Sequence, residues 1–91
     1  MWETTDPDGR DVVLPWADWL HVLRRHPYIG IGPATVVETV AQPDARRPGP
    51  RPGEEWFYRH GAGPSAGIRV VVHYEHGRGR IVTAFPRRSI P

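Results

Sequence analysis

Proline and glycine constrain this chain more than any other feature, because they supply 11 and 10 of its 91 residues. Proline interrupts helices and sheet ladders, and glycine favours turns. The sequence therefore predicts one small domain of short elements joined by many turns, and it excludes long uninterrupted helices. Hydrophobic residues make up 38% of the chain, with four Trp among them, which favours a folded core over disorder.

Turn residues divide the chain into four parts. Residues 1–14 are predicted to form a β-hairpin around the sequence Asp6-Pro7-Asp8-Gly9. Residues 15–42 are predicted to hold two short helices, at about 15–25 and 33–41, although β-branched residues leave a strand open for the second. A Pro- and Arg-rich loop is expected over 43–53 and an antiparallel meander over 54–88. The expected fold class is α+β, with the hairpin and helices packed on an antiparallel sheet.

Apolar spacing predicts which faces are buried. Trp16, Trp19, Leu20 and Leu23 recur at helical intervals, so both Trp side chains are expected in the core. The run from Ile68 to Tyr74 is apolar on nearly both faces and predicts the central strand of the sheet.

Charge is distributed unevenly along the chain. Residues 1–45 carry three Arg against seven acidic residues, whereas residues 46–91 carry nine Arg against three. A basic half suits an anionic partner such as RNA or an acidic protein inhibitor. Lopsided charge is also common among small domains that bind neither.

Several classes of protein are disfavoured by what the sequence lacks. It has no Cys, hence no disulfide or thiolate metal site. It has no run near the roughly 20 apolar residues of a membrane span and no signal-peptide pattern, so we expect a cytoplasmic protein without a membrane partner, with delivery into another cell left open. No phosphate-loop or dinucleotide motif is present, and His73 and His76 lack a third metal ligand, so neither a cofactor nor a metal is expected.

Five segments, taken in order, resemble a known family. They are Trp19, the H-x4-H-P run of residues 21–27, the strand 55–59, Val70 to Val72, and the strand 79–85 containing V-T-A. This arrangement is similar to that of small phage and bacterial members of the barnase, EndoU, colicin and RelE-like (BECR) nuclease superfamily, which includes toxin ribonucleases.

The resemblance implies short helices on an antiparallel sheet and RNA cleavage without metal. It also implies tRNA or mRNA as the substrate and a cognate antitoxin or immunity protein as a partner. The family often has an acidic residue after His-Pro, and this chain has Tyr28 there. That departure favours a second interpretation, a non-catalytic RNA- or protein-binding module with the same fold.

Metal-independent cleavage needs a base, an acid and cations or donors around the phosphate. His21, which lies off the apolar stripe of its helix, and His26 at the helix end are the candidate acid and base. His26 has capping of the helix as its structural alternative. The resemblance implies that Arg59 is a phosphate clamp and that Thr83 donates to phosphate. Arg59 has a solvated charge or an ion pair with a neighbouring Glu as its structural alternative. Strand alternation predicts that Thr83 lies on the same face as Ile81. Candidate RNA-binding residues are Tyr58, Arg87 and Arg88.

The leading hypothesis is therefore a toxin-type ribonuclease that cuts RNA through a 2′,3′-cyclic phosphate. The binding module is the alternative, and an antitoxin or immunity protein that docks through the acidic N-terminal half is the third interpretation.

Overall fold

The computed structural model describes residues 1–91 and contains two helices and six strands. In chain order these are β1 (Trp2–Thr5), β2 (Asp11–Leu14), α1 (Trp16–Arg25), α2 (Pro33–Ala41), β3 (Ala45–Pro48), β4 (Glu54–His60), β5 (Gly67–Glu75) and β6 (Arg78–Arg87). The α+β class, the hairpin and both helices are confirmed. The strand considered for residues 33–41 is not formed, since Pro33 opens a helix at a position where its missing N–H costs nothing.

All six strands belong to one sheet, in the order β1-β2-β6-β5-β4-β3. Every neighbouring pair is antiparallel except β2 and β6, which run parallel and pair only at Val12 with Gly79 and Val13 with Arg80. The predicted antiparallel meander is confirmed for β4, β5 and β6, but the sheet as a whole is mixed, because the hairpin joins it through a parallel pair. Because about sixty residues separate β2 from β6, no tight turn imposes an antiparallel direction on this pair.

The segment 43–53, expected to be a loop throughout, contains the edge strand β3. Its residues Ala45 to Pro48 pair with β4, with Pro48 opposite Glu55. A proline is tolerated there because an outer strand has one side that makes no ladder bonds. The prediction correctly excluded residues 43–53 from the interior of the sheet, but it did not foresee that four of them form an edge strand.

The core lies on one face of the sheet. Val36 and Val40 of α2 and Trp19 and Val22 of α1 bury their side chains in the same cluster, against residues of β2, β4, β5 and β6. The strand residues of this cluster are Val12, Leu14, Phe57, Ile68, Val70, Val72, Ile81 and Ala84. Helix α2 covers this face, whereas α1 lies beside β6 and adds Trp19 and Val22 to the core from the edge of that strand. The opposite face of β3 to β6 carries no helix.

Helix α1 lies alongside the second half of β6, beyond the short pairing with β2. Asp18 is 3.6 Å from Arg80 near one end, and the His26 and Phe85 rings are 5.7 Å apart at the other. Only the side of α1 that bears Trp19 faces the core. Trp16 is 58% exposed and stacks on Trp2, so its predicted place in the core is wrong.

Candidate functional site

A depression of about 350 Å³ lies between the C-terminal half of α1 and β6. It is lined by His21, Arg25 and His26 from the helix and by Thr83 and Phe85 from the strand. The structure therefore brings together three of the four predicted catalytic residues, although Thr83 lies about sixty positions from the two histidines in the chain. It adds Arg25, a cation that the sequence did not single out.

His26 is positioned by the end of its helix. It is the C-cap residue of α1, its backbone N–H donates to the carbonyl of Val22 at 2.8 Å, and Pro27 follows. His26 thus occupies the C-cap position through its backbone, while its imidazole lies beside Phe85, with the ring centroids 5.7 Å apart. Partial burial, together with the positive charges of Arg25 and His21, lowers the pKa of His26 below its ordinary 6.5. A neutral imidazole can accept a proton at pH 7.

His21 and Arg25 lie one turn apart on the exposed side of α1. Neither makes an ion pair, and cations in the last turn of a helix interact favourably with its dipole. Arg25 therefore stabilises the C-terminal end of α1 through the helix dipole. Its guanidinium N–H groups also remain available to a ligand in the depression.

Thr83 reaches the depression because of a β-bulge. Thr83 pairs with Val71, but Ile81 pairs with Val72, so Val82 is the extra residue. Adjacent residues of β5 point to opposite faces, which puts Thr83 and Ile81 on opposite faces of the sheet. The expected shared face of Thr83 and Ile81 is wrong. Ile81 enters the core, and Thr83 lies on the face without a helix.

Arg59 lies elsewhere. Its guanidinium donates to Glu38 of α2 at 3.1 Å, in a separate depression that also includes Gln42 and Asp44. The structure therefore does not place Arg59 with the two histidines, and its ion pair matches the structural alternative for a surface arginine.

Arg87 and Arg88 lie at the end of β6 and just after it, and both are exposed without an ion pair. The register places Arg87 opposite Gly67, on the same face as Thr83 and Phe85. Arg87 is thus in a position to extend the site along β6.

Tyr58 is only 2% exposed, so its ring is not available to stack on a base. Its hydroxyl instead accepts a hydrogen bond of 2.9 Å from Nε of Arg69. Arg69 was missed in the sequence because it lies within the apolar run that predicts the central strand. Its neighbours come from β4 and β6, and no local pattern shows which residues those strands place beside it.

Nowhere in the structure do three or more His, Asp or Glu side chains form a cluster that could hold a metal ion. Neither helix is long and apolar enough to cross a membrane. Comparisons with known proteins found no matching family model, no matching curated protein and no matching solved structure.

Proposed function

We propose that the protein is a ribonuclease that cleaves RNA without a metal ion and leaves a 2′,3′-cyclic phosphate. The observation that carries the proposal is the meeting of His21, His26, Arg25 and Thr83 in one depression. Two imidazoles beside a cation and a hydroxyl supply the base, acid and donors that this reaction requires.

The lowered pKa of His26 favours it as the base. His26 accepts the proton of the 2′-OH as that oxygen forms a bond to phosphorus, and the bond from phosphorus to the 5′-oxygen breaks. His21 in its protonated form donates a proton to the departing 5′-oxygen. Arg25 and Thr83 donate to the phosphate oxygens, so Arg25 takes the role that the sequence assigned to Arg59.

The test is incubation of the purified protein with total tRNA and a structured mRNA in excess EDTA. Cyclic-phosphate ends are expected from the wild type, and His21→Ala and His26→Ala should each lower the rate roughly 100-fold or more. His73→Ala, which removes an exposed histidine outside the depression, is the matched control and should cut normally. A fully active His21→Ala or His26→Ala variant would remove that residue from the mechanism.

The non-catalytic RNA-binding module remains the second candidate, favoured by Tyr28 where the resembling family often has an acid. It predicts salt-dependent RNA binding with no fragments, since phosphate contacts release counterions whether or not a bond breaks. An antitoxin or immunity role predicts a different result, suppression of a partner nuclease without toxicity when the protein is expressed alone. Toxicity on expression alone, relieved by a cognate inhibitor, would support the ribonuclease.

A further inference from the structure

The face of the sheet without a helix carries a row of side chains that leads away from the depression. The register places Thr83 opposite Val71, Val71 opposite Trp56, and Trp56 opposite Arg47. Directly paired residues share a face. Neighbouring strands are about 4.8 Å apart, so the row extends about 14 Å from Thr83 to the outer strand β3.

A second row lies beside the first and contains Phe85, Arg69 and Tyr58. The Arg69 guanidinium carbon lies 3.7 Å from the centroid of the Trp56 ring and 5.5 Å from that of Phe85. Aromatic rings from β4 and β6, the strands on either side of β5, thus hold the Arg69 guanidinium on this face of the sheet.

Arg69 has no carboxylate partner. Its one hydrogen bond runs from Nε to the hydroxyl of Tyr58, and Glu54, a carboxylate on the same face of β4, accepts a hydrogen bond from the indole N–H of Trp56 at 2.9 Å. A guanidinium has five N–H donors, so the terminal N–H groups of Arg69 remain available to a ligand. The contact with Trp56 and the bond to Tyr58 fix its orientation before any ligand arrives.

Further positive charge lies at both ends of this face. Arg47 on β3 and Arg87 on β6 are exposed and form no ion pair. A flat cation among aromatic rings, with arginines on either side, is complementary to a ligand that alternates planar rings and negative charges. Single-stranded nucleic acid has this chemistry, because its bases stack on aromatic rings and guanidinium planes while basic residues bind its phosphates.

We propose that this face is a base-stacking platform for single-stranded RNA, with Arg69 on Trp56 as its centre and the depression at His21 and His26 at its end. The choice of RNA over other single-stranded nucleic acid rests on the proposed function. The platform binds the nucleotides next to the phosphate that is cut, and Tyr58 is a positioning residue for Arg69.

The experiment measures binding of two labelled eight-nucleotide DNA strands by fluorescence anisotropy. One strand carries all its bases and the other has abasic sugars at its central positions; neither has the 2′-OH needed for cleavage. The wild type should bind the intact strand roughly 5- to 150-fold more tightly, the range measured for stacking of one base. Equal affinity for both strands would mean that the face recognises only charge, which would overturn the proposal.

Arg69→Lys is the discriminating variant, because it keeps the charge but removes the planar group. It should lose most of the preference for the intact strand, whereas Arg78→Gln, which removes an exposed charge at the start of β6, should keep it. An Arg69→Lys variant with the wild-type preference would contradict the platform. In the unaltered protein, the NMR signal of the Trp56 indole N–H should shift when the intact strand is added, and no shift there would also overturn the proposal.

The two proposals can fail separately. Base-dependent binding that requires Arg69, with no RNA fragments from the wild type, would retain the platform and reject the ribonuclease. Cleavage that is lost in His21→Ala but unchanged in Arg69→Lys, together with equal binding of the two strands, would retain the ribonuclease and reject the platform.

Discussion

The proton chemistry of the site depends on the immediate surroundings of one residue, His26. Its ring is partly buried beside Phe85 at the end of α1, with Arg25 and His21 as nearby positive charges. Burial and like charge both disfavour the protonated imidazole. Because its pKa lies below that of an ordinary histidine, His26 stays neutral, and thus able to accept a proton, to lower pH than a solvent-exposed histidine would.

Replacing Arg25 with Gln should raise the pKa of His26 toward 6.5, because one of the charges that lowers it is removed. The acidic limb of kcat/KM for RNA should move to higher pH with it. NMR titration of the imidazole protons measures the pKa directly. Arg24→Gln removes a neighbouring charge from another side of the helix and should have a smaller effect. If the two variants titrate alike, Arg25 is not the charge that tunes the site.

At the scale of elements, α1 divides its apolar residues between two environments. Trp19 is 7% exposed and belongs to the core, whereas Trp16 packs on Trp2 with a centroid distance of 5.0 Å and remains largely exposed. The free energy of unfolding should therefore depend on these two residues very differently.

Trp19→Ala should lower the free energy of unfolding by about 3–5 kcal/mol, the usual cost of truncating a buried aromatic residue. Trp16→Ala should cost about 1 kcal/mol, because it removes mainly a stacked aromatic pair. Urea denaturation followed by circular dichroism at 222 nm measures both. Equal losses would mean that Trp16 is buried in solution, in contradiction to the packing described above.

Periodicity predicted both helices, because a helical repeat and proline positions are local properties of the sequence. Periodicity could not show that Trp19 is buried and Trp16 exposed, since that depends on how α1 lies beside β6 and the Trp2 side chain of β1. The parallel pairing of β2 with β6 and the edge strand β3 are likewise set by partners distant in the chain. Local pattern therefore predicted every element except the edge strand β3, and long-range pairing decided which strands lie side by side.

The candidate site follows the same division. The resemblance grouped His21, His26 and Thr83, and the structure places them together. The resemblance did not predict that Arg59 pairs with Glu38. It also did not predict the bulge at Val82, which puts Thr83 on the opposite face from Ile81, because a bulge is defined only by the partner strand.

At the scale of the whole molecule, a network of charges joins the first turn to strands at the other end of the sheet. Asp6, in the turn between β1 and β2, accepts bonds from Arg10 at 2.8 Å and from the hydroxyl of Tyr74 on β5 at 2.6 Å. Arg10 lies 3.6 Å from the centroid of the Tyr74 ring and donates to Glu55 of β4, which also binds Arg46 of β3. The network connects the hairpin, the centre of the sheet and its far edge.

Tyr74 makes this network sensitive to alkali. Burial, the hydrogen bond to Asp6 and the charge of that carboxylate raise the pKa of Tyr74 above the ordinary 10.0. A raised pKa means that the folded protein holds the hydroxyl proton more tightly than the unfolded chain does. The resulting stability is fully present below pH 10 and is lost as pH rises above that value.

The free energy of unfolding should therefore fall more steeply above pH 10 in the wild type than in Tyr74→Phe, which has no phenol at this position to ionise. Tyr74→Phe should also be less stable at pH 7 by about 1–3 kcal/mol, because Asp6 loses a partner while buried. Urea titrations across this pH range measure both effects. Tyr28→Phe, at a position 86% exposed, should follow the wild-type curve. Parallel curves for the wild type and Tyr74→Phe would mean that Asp6 does not hold this proton, and that the hairpin is tied to the sheet by the arginines alone.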